Sequence, residues 1–274
     1  MEDVLAYQGK NVVVTGAASG MGQATARILV DLGARVSGLD VKAIDAPVAS
    51  EIRVDLRDPD SIDAAIAAIE GSVDHVFSCA GLPGPPFSEL DTMLVNFVGA
   101  RHLIEGLLPR MAEADASIGC ISSAGAAGWQ EHIPAIKDLL ANETFAQAKA
   151  WLEANEDIWS WSGYLWSKYA IDGWVSSFGA DLIRRGIRLN CINPGPTDTP
   201  MMPAFHELAG KEMIDSAIGP IGRYSTPEEQ AWPLVLLNSP RMSYVAAEIL
   251  WTDGGFMGSL TMGKHGGFGE GQLD

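Results

Sequence analysis

The stretch VVVTGAASGMGQATA, residues 12–26, joins two patterns that belong to different kinds of structure. Three successive valines, Val12 to Val14, read as a buried strand. From Gly20 onward the apolar residues fall at helical spacing: Ala24, Ile28, Leu29 and Leu32 share one face, and Gly33 supplies the stop. Between the patterns stand Gly16, Ser19, Gly20, Met21 and Gly22. A glycine turn between a strand and a helix lets the backbone approach a pyrophosphate. The helix start adds free N–H groups and partial positive charge, and Ser19 adds a hydroxyl. The same pattern alone also suits a plain tight turn, so the rest of the chain has to decide.

Moving outward, strand signals recur in alternation with helical ones. ARVSGLD, SEIRVDL, VDHVFSCAG, ASIGCISSAG, GIRLNCINPG and AEILWTDGG follow the first strand, making seven. DPDSIDAAIAAIEG reads as a helix opened by Asp58 and Pro59. LDTMLVNFVGARHLIEGLLPRM, residues 90–111, reads as one long helix. Repeated strand–helix units with short connections imply a doubly wound parallel sheet covered on both faces. No linker or composition break divides residues 1–274, so a single domain is expected.

The second strand ends at Asp40, where a carboxylate can accept both ribose hydroxyls of an adenosine half and repels a 2′-phosphate. Val41 follows it and no arginine does. The expected cofactor is therefore NAD(H), preferred over NADP(H). Asp55 and Leu56 follow the third strand, where a carboxylate can meet the adenine amino group.

Bulk composition narrows the partners. With 47% hydrophobic and 19% charged residues over 274 positions, the chain is globular rather than disordered. A net charge of -17 disfavours nucleic acid and anionic membrane surfaces. Cys79, Cys120 and Cys191 are odd in number and lack metal-type spacing, so neither a disulfide framework nor a zinc site is expected, and the five histidines are scattered. Each cysteine ends an apolar run and reads as a buried thiol. No secretory signal and no membrane-spanning run is visible, so the expected location is cytoplasmic.

Tyr164 and Lys168 lie four positions apart within GYLWSKYAIDGWVSSFGADLIRRG. On a helix they share one face. A phenol titrates near pH 10, too high for a base at neutral pH, and a neighbouring ammonium favours its ionised form. The pair then serves as proton donor and acceptor for an alcohol/carbonyl couple. A hydroxyl beside the carbonyl oxygen steadies charge as it builds, and Ser122 at a strand end is the candidate.

These pieces together resemble the short-chain dehydrogenase/reductase family over nearly the whole chain: TGAASGMG, CAG after the fourth strand, Asn96 in NFVG, Ser122, Tyr164 with Lys168, and NPGPTDT after the sixth strand. The resemblance implies a Rossmann-type seven-stranded sheet and hydride transfer between NAD(H) and a substrate carbon. It implies Tyr164 as acid/base and Lys168 also as a holder of the nicotinamide ribose. Asn96 would anchor a water in a proton relay. Ala80 and Gly81 would line the cofactor. Pro194, Gly195 and Thr199 would border the nicotinamide, with the Thr197 backbone at its carboxamide. Many members carry an asparagine where this chain has Cys79 in SCAG, so its bracing role must be met otherwise.

The other departure is the stretch EHIPAIKDLLANETFAQAKAWLEANEDIW, residues 131–159, within an insertion of about residues 129–161. It separates Ser122 from Tyr164 by far more than is common in the family. Ile133, Ile136, Leu139 and Leu140 follow helical spacing. So do Phe145, Ala148, Trp151 and Leu152 after a break, and Asn142 or Thr144 would cap the second arm. A helical hairpin packed on itself and on the body is expected. The insertion resembles that of bacterial 3α-hydroxysteroid dehydrogenase/carbonyl reductases, and the chain is also similar to coniferyl-alcohol dehydrogenases. That resemblance implies a bulky apolar alcohol or ketone and a homo-oligomer with an atypical interface. Trp129, Trp159, Trp161 and Trp166, with Met201, Met202, Phe205 and Met213, are candidates for an apolar pocket. The glycine-rich end, about residues 263–274, is expected to be a flexible tail.

Overall fold

The computed structural model describes residues 3–112 and 114–266. Its strands are β1 (Asn11–Thr15), β2 (Arg35–Asp40), β3 (Ser50–Arg53), β4 (His75–Ser78), β5 (Ala116–Ile121), β6 (Ile187–Pro194) and β7 (Ile249–Thr252). They form one sheet in the order β3-β2-β1-β4-β5-β6-β7, every pairing parallel. The strand order reverses between β1 and β4. At such a switch point the loops leaving two neighbouring strands diverge to opposite faces and open a crevice at the strand ends.

The helices are α1 (Gly20–Asp31), α2 (Pro59–Ala68), α3 (Glu89–Met93), α4 (Gly99–Leu107), α5 (Ile133–Leu140), α6 (Phe145–Ala154), α7 (Glu156–Trp159), α8 (Gly163–Leu182), α9 (Met202–Ala209), α10 (Lys211–Ser216), α11 (Pro227–Asn238) and α12 (Phe256–Thr261). Apolar residues of α1 and α11 bury one face of the sheet around Val12, Val14 and Phe77. Those of α2, α4 and α8 bury the other around Val13, Val76 and Ile118. The alternation of valines along β1 thus feeds two cores, as a strand covered on both sides requires.

Several starts follow the chemistry read from the chain. The Asp58 side chain accepts from Asp60 N with Pro59 in the first turn of α2. Thr144 caps α6 in a box with Gln147, and Ser162 accepts from Leu165 N at the head of α8. The expected long helix over residues 90–111 runs without a gap from Glu89 to Arg110, with a π turn at Leu94–Val98 between α3 and α4 and a short 3-10 turn at Leu108–Arg110. Proline at position 109 explains the tightened end. The π turn carries Asn96.

The insertion forms three short helices, α5, α6 and α7, laid over α4 and α8. Ile136 of α5 meets the α8 backbone at Gly173, where an added Cβ would come 2.6 Å from Ile136 Cγ2. Arg101 of α4 donates to the carbonyls of Leu140 at 3.3 Å and Asn142 at 3.0 Å. Trp159 is buried and donates its indole N–H to Leu152 O at 2.8 Å. Residues 267–274 of the expected tail lie outside the described residues. His265, just before them, is buried edge-on against Phe256. Among the described residues no helix is long and apolar enough to cross a membrane.

Candidate active site

The glycine turn sits at the crevice. Gly16 has φ +69, and an added Cβ would meet Ala80 N at 2.7 Å; at Gly22 it would meet Gly16 O at 2.2 Å. The turn therefore closes on itself and on the β4 loop only with glycine there. At Gly20, by contrast, a Cβ would meet nothing closer than Thr199, at 3.6 Å. The gap between the α1 start and the loop after β6 is thus about one methyl group wide at Gly20. Ser19 makes no side-chain cap, and the first turn of α1 carries no acid, so its N–H groups face that gap without an internal anion. This cradle fits a pyrophosphate.

Asp40 is brought beside the turn: its carboxylate accepts from Ala18 N at 3.0 Å and from Lys42 N at 2.9 Å. Asp55 behaves differently. Arg57 engages both of its oxygens, at 3.0 and 2.7 Å, and holds the carboxyl below its usual range. The carboxylate is thus already committed to a neighbouring guanidinium, while Leu56 is buried. Ala80 and Gly81 line the β4 end of the crevice. Thr15 Oγ1 accepts from Cys79 N at 3.1 Å and Ala80 N at 3.2 Å, doing from β1 the bracing expected of an asparagine at position 79.

On the far side, Pro194, Gly195, Thr197 and Thr199 leave β6. Thr197 is pinned by Ser225, backbone to backbone and hydroxyl to hydroxyl at 2.9 Å. These residues and Met21 line a cavity of about 480 Å³ together with Ser122, Ser123, Tyr164, Leu165 and Phe205. Met201, Met202 and Met213 also line it, as expected. None of the four candidate tryptophans does: Trp159 and Trp166 are core residues, Trp161 is 58% exposed, and Trp129 packs against the core.

Tyr164 and Lys168 share a face of α8, with Nζ 5.4 Å from the phenol ring centroid. Lys168 is buried and donates to Ile121 O at 2.9 Å. Burial pushes it down to about 8, against the pull of Asp172. The phenol is pushed up by burial and brought partly back by a hydrogen bond with Ser123. Burial sets the direction of the shift, and the hydroxyl of Ser123, rather than the expected ammonium, is what opposes it.

The two serines of ISS take different partners. Ser122 is buried, and its Oγ lies 3.3 Å from Lys168 O, toward Asp172 and away from the phenol. The hydroxyl that meets Tyr164 belongs to Ser123, which also caps the short turn at Ala124–Ala126 by accepting from Gly125 N. Both serines line the cavity, but their hydroxyls diverge, and only that of Ser123 bonds the phenol. The pair ISS was the visible signal; its phase was not. The Asn96 side chain accepts from Leu82 N at 2.7 Å and donates to Leu82 O at 3.0 Å and Ser167 Oγ at 3.1 Å. It ties the loop after β4 to α8.

The lid over the cavity is α9 with α10. Phe205 packs edge-on to Tyr164 at 4.9 Å. The Tyr224 hydroxyl donates to Asp215 at 2.5 Å and faces His206 Nε2 at 3.0 Å, while Lys211 pairs with Asp215. These contacts tie both lid helices to the loop before α11.

A sheet of this order, a glycine cradle at its switch point and a Tyr–Lys helix beside it define a nucleotide-dependent oxidoreductase. The sequence comparisons agree. The family described as short chain dehydrogenase matches residues 10–134, and that described as Enoyl-(Acyl carrier protein) reductase matches residues 149–257. The chain is 30% identical to a coniferyl-alcohol dehydrogenase of Pseudomonas sp. (strain HR199 / DSM 7063), covering 90% of this chain and 96% of the relative. It is also 30% identical to the 3-alpha-hydroxysteroid dehydrogenase/carbonyl reductase of Comamonas testosteroni, covering 89% and 95%. The crystal structure of the 3-alpha-hydroxysteroid dehydrogenase from Pseudomonas sp. B-0831 complexed with NADH superposes with a TM-score of 0.79 at 28% identity, covering 93% and 99%. The chain belongs to the short-chain dehydrogenase/reductase family and is an oxidoreductase.

Proposed function

We propose that the chain interconverts an alcohol and a carbonyl on a bulky apolar substrate, a steroid, terpenoid or aromatic compound, with NAD(H) preferred over NADP(H). The carrying observation is that Tyr164 and Ser123, hydrogen-bonded to each other, line an apolar cavity of about 480 Å³ that reaches Met21 at the start of α1. Gly16, Ser19, Gly20, Met21, Gly22, Ala80 and Gly81 would hold the dinucleotide, with Thr197 and Thr199 at its nicotinamide end. Asp40 supports NAD, because a carboxylate anchored by Ala18 N beside the turn repels a 2′-phosphate. When bound, nicotinamide supplies the hydride acceptor or donor. In oxidation Tyr164 takes the hydroxyl proton while Ser123 orients the oxygen; in reduction Tyr164 returns it. Lys168 favours the phenolate that this requires. Ring-bearing substrates suit a wall of methionines and one phenylalanine, which conform to apolar shape without fixing polar groups.

A coniferyl-type aryl alcohol is the second reading, favoured by the similarity to the Pseudomonas relative. The cover that the insertion places on α4 and α8 supports a homo-oligomer whose interface lies elsewhere. Free thiols at Cys79, Cys120 and Cys191 are compatible with the reduced cytoplasm.

The test is NADH formation over hydroxysteroids, terpenoid alcohols and cinnamyl alcohols, with Tyr164→Phe as control. Turnover should vanish in the variant while NADH still binds by fluorescence. Retained turnover would overturn the assignment of Tyr164.

A further inference from the structure

Under the Tyr164–Lys168 pair lies a buried polar cluster that the acid–base scheme leaves without a role. Asp172, one turn beyond Lys168 on α8, is wholly buried. Its Oδ2 accepts from Asn193 Nδ2 at 2.8 Å, and its Oδ1 lies 3.6 Å from the Cys191 thiol, which donates to it. Ser122 bonds the same carboxylate and also lies 3.3 Å from Lys168 O, with one proton to serve both. The side of α8 that carries the lysine is thus tied to β6 through one carboxylate.

Four side chains act electrostatically on the Lys168 ammonium: Asp172, Cys120, Cys191 and Cys79. Burial holds the thiols protonated, Cys79 and Cys120 at about 12 and Cys191 well above its ordinary value. Asp172, raised by burial to about 6, is the one of the four that is anionic at neutral pH. A buried ammonium with no counter-charge sheds its proton. A neutral Lys168 would no longer favour phenolate at Tyr164.

We infer that Asp172 is a positioning residue for the reaction: its carboxylate, one turn along α8 and fixed by Asn193, Cys191 and Ser122, keeps Lys168 charged beside the Tyr164 ring while Ile121 O orients it. Stability does not account for it. A carboxylate whose pKa is raised in the fold opposes folding once ionised, so its presence at neutral pH is a cost to the fold. The catalytic consequence rests on the alcohol/carbonyl reading; the Asp172–Lys168 coupling does not.

The experiment uses the full chain labelled with ¹³C-lysine, with the Lys168 Cε signal assigned by its loss in Lys168→Met. In wild type that signal should shift as Asp172 titrates near pH 6, and the Lys168 midpoint should fall by about one to three units in Asp172→Asn. The pH profile of alcohol oxidation should narrow from its alkaline side in the same variant, with the melting temperature kept or raised. A Lys168 midpoint unchanged in Asp172→Asn, with superimposable pH profiles, would overturn the inference. If Asp172→Asn does not fold, the wild-type titration decides: a Lys168 signal indifferent to the change near pH 6 overturns it equally. Coupling seen by NMR in a protein that oxidises no alcohol would sink the proposed reaction and leave the coupling standing.

Discussion

Ser122 and Ser123 are covalent neighbours whose hydroxyls serve opposite sides of one strand end. Ser123 faces the phenol, where charge on a substrate oxygen would build, and Ser122 faces the carboxylate beneath Lys168. Ser123→Ala should lower kcat by about 10²- to 10³-fold, the usual loss for one oriented donor. Ser122→Ala should cost less and act mainly on the pH profile, because it loosens Asp172 rather than the substrate oxygen. Steady-state kinetics over pH separate the two, and equal losses with identical profiles would refute the division of roles. Tyr164 itself is held protonated by burial, so the base it becomes in oxidation depends on positive charge from Lys168 at short range.

At the scale of elements, α8 is the meeting place. One side presents Tyr164 and Lys168 to the crevice and, a turn further on, Asp172 to β6, and another receives the insertion at Gly173. The close approach of α5 there depends on the missing side chain, since an added Cβ would lie 2.6 Å from Ile136 Cγ2. Gly173→Val should destabilise the fold by about 1–3 kcal/mol through overpacking. Adding Ile136→Ala should recover part of that loss. Urea denaturation of the single and double variants measures both, and an additive double variant would show that the two residues do not share the contact. His132 stacks on Tyr169 at 4.8 Å, and Phe145 meets His102 edge-on at 5.9 Å, so the insertion grips α8 and α4 through aromatic as well as aliphatic contacts. Such a grip takes up helix surface that would otherwise be open to a second chain.

For the whole molecule, stability against pH has an identifiable source on the acid side. His75 is fully buried in β4, 2.9 Å from Ser117 Oγ, and burial pushes it from 6.5 down to about 3. The unfolded chain therefore binds this proton first. The contribution of His75 is complete above about pH 6.5 and drains as pH falls toward 3, by up to about 1.4 kcal/mol per unit. Asp172 pulls the other way: its raised pKa makes the fold gain as pH falls from about 6 toward 3.8. Replacing His75 isolates the first effect. His75→Gln should flatten the loss of stability below pH 6.5 in denaturant titrations, and an unchanged slope would refute it.

The alternating valines of β1, the glycines at positions 16, 20 and 22, and the four-residue step from Tyr164 to Lys168 are local facts. Each follows from strand period, turn sterics or helix period, so the sheet, its cradle and the acid–base helix were legible in the chain alone. The π turn at Leu94–Val98 was not, because it keeps the composition of the helix around it. Nor was the choice between Ser122 and Ser123, since strand alternation says that neighbours diverge without saying which side holds the tyrosine. The tryptophans near the motifs turned into core or surface because closeness in sequence is not closeness in space. Asp172 looked like one more polar position on a helix until β6 closed over it and removed the water. Burial, and the charge state it imposes on Tyr164, Lys168 and Asp172, is a property of elements packed together; only the tertiary structure decided it.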